Sequence, residues 1–283
     1  MQDVIIIKKL VIDFHVHFPL YENLCESYYE WFVQAFPCAD AYEQFRHKYS
    51  DANNFLELMN ENGVDYSVVV AEVAPLTSGI AKNETIKDFC KGTPRLIPFC
   101  TFNPHTDPRM GSALEDLVLN HGFKGVKLYP TYNYFYPNDT LMYPLYSVAE
   151  RLGIPVMFHT GSSVFQNSRI KYGNPIFYDD VAVDFPDLKM IMAHGGRGPW
   201  YDEAFTMVRL HKNIYIDITG LPPQKLLEYY PDLERFAHKF IFGSDWPSVN
   251  VAKNIKLISN LSIGQVGIEK ILGETARQIL GLP

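Results

Sequence analysis

The chain has 283 residues, 47% of them hydrophobic, and its 32 acidic and 25 basic side chains leave a net charge of −7. That size and apolar fraction support a large core, while the acidic balance gives no electrostatic footprint for nucleic acid or an anionic membrane surface. No apolar run approaches the roughly 20 residues of a membrane span. Four cysteines without C-x-x-C spacing point to a reducing, cytoplasmic setting rather than a disulfide scaffold.

In chain order, the apolar runs 4–7 and 10–12 lead into Asp13-Phe14-His15-Val16-His17, a first strand whose alternation predicts Asp13, His15 and His17 on one face. Residues 19–53 are crowded with aromatics, and a connection this long predicts a partly helical insertion. Two readings stay open for it: a cap over a site, or else a subunit interface, as of a homodimer, or a satellite core. A rhythm then begins. Apolar strands are predicted at 65–72, 96–103, 125–130, 154–161, 188–196, 214–220 and 240–247. Between them lie helices at 55–62 closed by Gly63, at 79–91, at 107–121 capped by Asp107, at 143–152 closed by Gly153, around 179–184, at 201–211 and at 223–237 interrupted by Pro231. Two more, at 251–260 and 268–280, finish the chain. Eight strands alternating with helices predict one (β/α)8 TIM barrel over 1–283, with the insertion at about 19–53. An open doubly wound sheet is disfavoured, because no G-x-G-x-x-G or P-loop follows an early strand.

Barrels of this kind gather functional groups at the C-terminal ends of their strands. The polar residues at those ends are His15 and His17 on strand one, Lys127 on four, His159 on five, His194 on six and Asp245 on eight. Each is costly to bury alone. A divalent metal held by His15, His17, His159 and Asp245 would satisfy several at once, with His194 close enough to move protons. Arg197, just past Gly195-Gly196, is a candidate carboxylate clamp. Trp246 is a candidate for the pocket lining, as are Tyr132, Tyr134, Phe135 and Tyr136, and Asp13 is expected to support the strand-one histidines.

Five motifs in this order resemble the amidohydrolase superfamily, in its amidohydrolase-2 branch of aminocarboxymuconate-semialdehyde decarboxylase-like proteins. They are Ile12-Asp13-Phe14-His15-Val16-His17, Gly125-Val126-Lys127-Leu128, Pro155-Val156-Met157-Phe158-His159-Thr160-Gly161, Ala193-His194-Gly195-Gly196 and Phe242-Gly243-Ser244-Asp245-Trp246-Pro247. The resemblance implies a single zinc or similar divalent ion, manganese included, on His15, His17, His159 and Asp245, with His194 as a proton-transfer group. It aligns Lys127 with a lysine that is carboxylated in two-metal members; here Lys127 is expected instead to contact a substrate carboxylate or carbonyl.

The main expectation is hydrolysis of a small amide, ester or lactone by a metal-activated water, with Asp245 and His194 as the catalytic pair. The alternative is non-oxidative decarboxylation of a small unsaturated or aromatic acid, which needs nearly the same donors. A non-catalytic metal-binding barrel is the third reading.

Overall fold

The computed structural model describes residues 9–283, so the apolar run at 4–7 lies outside the described residues. Eight parallel strands follow one another around a single sheet: β1 (Ile12–His17), β2 (Tyr66–Val70), β3 (Leu96–Cys100), β4 (Gly125–Leu128), β5 (Val156–Gly161), β6 (Met190–Arg197), β7 (Ile214–Asp217) and β8 (Phe240–Ile241). The residues after β8 close the barrel onto β1. Phe14 N donates to Phe242 O at 3.0 Å, Asp245 N to His15 O at 2.9 Å and His17 N to Trp246 O at 2.9 Å.

Alternation along the strands sorts the core into two shells. Phe14, Val68, Val70, Phe99, Met157 and Ile191 fill the barrel, whereas Val126, Leu128, Val156, Phe158, Met190 and Met192 face the helices. Burying each large side chain stabilises the fold by about 1.5–3 kcal/mol.

The alternation breaks where polar groups have to be aimed. Between Asp13 and Val16, β1 carries one residue more than β2. This bulge lets Phe14 meet Phe99 edge-on inside the barrel while His15 also turns inward. Asp13 therefore leaves the face it was expected to share with the two histidines, and its carboxylate accepts from Ser244 N at 2.7 Å. A second irregularity separates His159–Gly161 from Ala193–Arg197. There His194, Gly195 and Gly196 have φ of 66°, 52° and 77°. A Cβ on Gly195 would lie 2.1 Å from the Tyr230 hydroxyl, so that turn requires glycine.

The insertion folds into α1 (Glu26–Val33) and α2 (Ala39–Tyr49), and the first barrel helix is α3 (Ala52–Asn62). Asp51 caps α3 by accepting from Asn53 N and Asn54 N, and Gly63 ends it in the left-handed conformation. Two expectations shift. The helix at 79–91 is confined to Asn83–Cys90, because Gly79–Ala81 pairs antiparallel with Glu72–Ala74. The helix at 107–121 begins at Met110, and Asp107 instead accepts from Asn103 N at 2.7 Å, so it closes a turn rather than capping the helix. Near the C-terminus a π-turn (Lys270–Glu274) interrupts the last helix, and its Ile271 carbonyl accepts from Phe242 N at 2.8 Å.

Candidate metal centre

A cavity of about 190 Å³ opens at the C-terminal ends of the strands. His17, Glu72, His159, His194, Arg197 and Asp245 bring polar groups to it, and Tyr28, Phe32, Tyr129, Tyr132 and Phe165 supply aromatic walls. A larger hollow of about 650 Å³ lies at the opposite end, over Leu96, Pro98 and Leu282. The smaller one is the candidate site, because convergent buried polar groups mark a site better than volume does. Tyr28, Trp31 and Phe32 come from α1, so the insertion walls the cavity as the cap reading expects.

One ligand atom each from His15, His17 and Asp245 lie within 4.8 Å of one another. Both histidines are oriented from behind. His15 Nδ1 donates to Asp217 Oδ2 at 2.7 Å, and the other Asp217 oxygen accepts from Thr219 N and Oγ1. His17 Nδ1 lies 3.0 Å from Glu72 Oε2. Asp245 Oδ1 lies 3.7 Å from His15 Nε2 and 3.3 Å from His17 Nε2. Two ring nitrogens and a carboxylate oxygen this close together offer three ligand atoms to one cation.

His159 stands apart from this trio. Its ring packs 4.7 Å from Tyr132 and 4.5 Å from His194, and its buried Nε2 has no hydrogen-bond partner. An orphaned imidazole nitrogen beside two imidazoles and a carboxylate fits the donor set of a zinc- or manganese-like ion. His194 is held by Nδ1 on the Thr219 carbonyl at 2.9 Å, which leaves Nε2 as an acceptor. Arg197 is anchored through Nε and Nη2 on the Ser162 carbonyl, at 3.2 and 2.9 Å, on the cavity wall.

The electrostatics follow from burial and partners. Burial and the Lys127 charge push His15 down to about 4. Burial also opposes a charge on His17, but hydrogen bonds to Asp245 and Glu72 win and raise it to about 9. Burial and the Arg197 charge hold His159 and His194 well below the usual imidazole value. Partial burial opposes the Asp245 charge, yet the His17 bond and the neighbouring imidazoles hold its carboxyl well below the carboxylate range.

Two expected substrate contacts have protein neighbours that the sequence did not indicate. Lys127 is fully buried and does not line the cavity; its Nζ lies 3.2 Å from His15 Nε2, the nitrogen that faces Asp245, and 3.4 Å from Met157 Sδ, and burial lowers it to about 8. Trp246 packs its ring against Phe45, Tyr49 and Phe55, which fastens the insertion to the barrel. Of the loop aromatics Tyr132 lines the cavity, whereas Tyr134 and Tyr136 pack on Tyr172. Glu72 and Asp217 were missed by sequence reasoning. Both are carboxylates at or just beyond the ends of apolar strands, the same signal that marked Asp245.

Fold and cavity together define a barrel enzyme working at the C-terminal ends of its strands. The amidohydrolase family model matches residues 12–282, and the chain belongs to that family, in the amidohydrolase-2 branch. It is 23% identical to a gamma-resorcylate decarboxylase of a Rhizobium strain, covering 94% of this chain and 96% of that one. A Polaromonas protein of the same name is 24% identical over 80% and 86% of the two chains. Among solved structures, an uncharacterized TIM-barrel protein from Bordetella bronchiseptica superposes with a TM-score of 0.78 at 23% identity, covering 96% of this chain and 98% of that one. A manganese-bound 5-carboxyvanillate decarboxylase from Novosphingobium aromaticivorans superposes at 0.74 and 12% identity, over 96% and 97%. These superpositions carry the barrel fold.

Proposed function

We propose that the chain is a metal-dependent, non-oxidative decarboxylase of a small aromatic acid bearing a hydroxyl beside its carboxylate. The observation that carries this is the convergence of His15, His17 and Asp245 on one point of an aromatic-walled cavity. The gamma-resorcylate decarboxylases matched over most of the chain favour decarboxylation over the hydrolysis expected from sequence, since the same donors serve both. His15, His17 and Asp245 would hold one divalent ion, with the orphaned His159 as the further donor. Manganese is bound in two decarboxylase neighbours, from Polaromonas and Novosphingobium, which sets it beside zinc as a choice.

A bound divalent ion supplies a Lewis acid that draws electron density from substrate oxygens. The residues do the rest. Tyr28, Phe32, Tyr132 and Phe165 flank the aromatic ring and exclude water. Arg197, fixed on the Ser162 carbonyl, offers its remaining N–H groups to a substrate oxygen. His194, held through Nδ1 on the Thr219 carbonyl, turns Nε2 toward the substrate. Asp245 takes that hydroxyl's proton and delivers it to the ring carbon as the bond to the carboxyl group breaks. The electron pair left on carbon captures the proton, and carbon dioxide leaves. The substrate is a small molecule, and the four free cysteines suit a cytoplasmic setting. No helix among the described residues is long and apolar enough to cross a membrane.

The test is carbon dioxide release from a panel of ortho-hydroxybenzoates by the metal-loaded protein, beside ester, lactone and amide panels. Release from at least one acid supports the proposal; hydrolysis of a carbonyl substrate without any carbon dioxide release overturns it.

A further inference from the structure

The two histidines of the trio are held by different parts of the molecule. His15 is braced from within the barrel, since Asp217 ends β7 and is itself held by Thr219. The brace on His17 lies wholly outside the eight strands. Glu72 opens the two-stranded hairpin, Ser78 sits in the turn of that hairpin, and Tyr21 belongs to the insertion.

These groups interlock. Tyr21 OH donates to Glu72 Oε2 at 2.9 Å and stands 3.0 Å from His17 Nδ1, while the Ser78 hydroxyl donates to Glu72 Oε1. Both carboxylate oxygens are thereby committed, and the proton on His17 is kept at Nδ1. The insertion is tied to the same hairpin by Glu22 N to Ile80 O at 2.8 Å, Ile80 N to Glu22 O at 2.9 Å and Cys25 N to Ser78 O at 3.0 Å. The Tyr21 ring also rests 5.3 Å from Tyr28, a wall of the cavity.

We infer that Tyr21 and Glu72 are positioning residues for His17, so that the insertion and its hairpin set how tightly the centre holds its ion. This rests on the metal-centre reading above. Glu72 fixes the ring and the tautomer; Tyr21 locks Glu72 in place. His15, braced by the barrel, keeps its orientation when the insertion is disturbed, which makes His17 the weaker point of the centre.

The experiment is a titration of the ion-stripped full chain with Co2+, read as a dissociation constant and as the visible absorption that reports ligand geometry. Glu72→Gln should weaken binding by about 10- to 100-fold and alter the spectrum, with Glu72→Asp recovering part of the loss. Tyr21→Phe keeps the ring and so the packing; it should weaken binding by about threefold to tenfold, on the scale of one hydrogen bond. If Glu72→Gln does not fold, Tyr21→Phe decides. A purely structural role for Glu72 would lower thermal stability while leaving spectrum and affinity alone. Variants matching wild type within about twofold, with an unchanged spectrum, overturn the inference but leave the metal centre standing. A wild-type chain that takes up no Co2+ overturns both.

Discussion

The two ends of the barrel solve the burial of charge in opposite ways. At the N-terminal end, cations sit immediately before strands and donate to backbone carbonyls. Arg95 reaches Asp65 O and Val64 O, Lys189 reaches Gly153 O and Ile279 O, and Lys239 reaches Lys212 O. At the C-terminal end, Asp217, His15, Asp245, His17 and Glu72 form one connected chain of side chains, with Lys127 against His15 Nε2 and His159 Nε2 unsatisfied. His194 and Asp245 there take φ of 66° and 63°, a conformation that costs roughly 1–3 kcal/mol in a non-glycine residue. The lesson is that one end is complete by itself, whereas the other holds strained, interdependent groups whose arrangement makes sense around a bound ion.

Substitutions should separate the two ends by size and kind of effect. Asp245→Asn should lower the turnover rate for carbon dioxide release by about 10²- to 10⁴-fold, the span of a lost proton-transfer group, with little change in thermal midpoint. A rate within tenfold of wild type would remove Asp245 from its role. Trp246→Ala belongs to neither end's polar system. It should cost about 3–5 kcal/mol of stability in denaturant unfolding through the lost contacts with Phe45, Tyr49 and Phe55. Direct substrate contact by Trp246 would show instead as a raised KM in a stable protein.

The pH dependence of the ion-free chain sharpens the comparison further. His17 keeps its proton to about pH 9 when folded, against 6.5 as an ordinary imidazole, because bonds to Asp245 and Glu72 outweigh its burial. Its contribution to stability is therefore full below pH 6.5 and disappears as pH rises through 9. Thermal unfolding of wild type against His17→Gln should show a gap that closes over that window; a gap constant with pH would contradict it. An ion has to displace this proton, so ion affinity should rise with pH across the same range. At the other end, Lys189→Met should cost only about 0.5–1.5 kcal/mol and leave ion binding untouched.

Most of the fold is legible in the sequence because eight apolar runs, each followed by a helix, leave few alternatives to a barrel. The ligand candidates are legible for a related reason: a histidine or aspartate ending an apolar strand is expensive without a partner. What is not legible is direction. Nothing in Ala193-His194-Gly195-Gly196 states that three consecutive left-handed residues aim His194 into the cavity, nor does Asp13-Phe14-His15 announce a bulge. For Lys127 and Trp246, a position beside the ligands says how near they are, not which neighbours their side chains meet. Glu72 escaped notice because its partners Tyr21, Ser78 and His17 lie up to 55 positions away along the chain, where local pattern carries no information.

The most direct test of the account is the metal content of the purified chain, wild type beside the His15→Ala/His17→Ala double variant. The account predicts about one divalent ion per wild-type chain, lost in the double variant while the barrel stays folded. An ion retained without those histidines, or none bound by wild type after reconstitution, would contradict it.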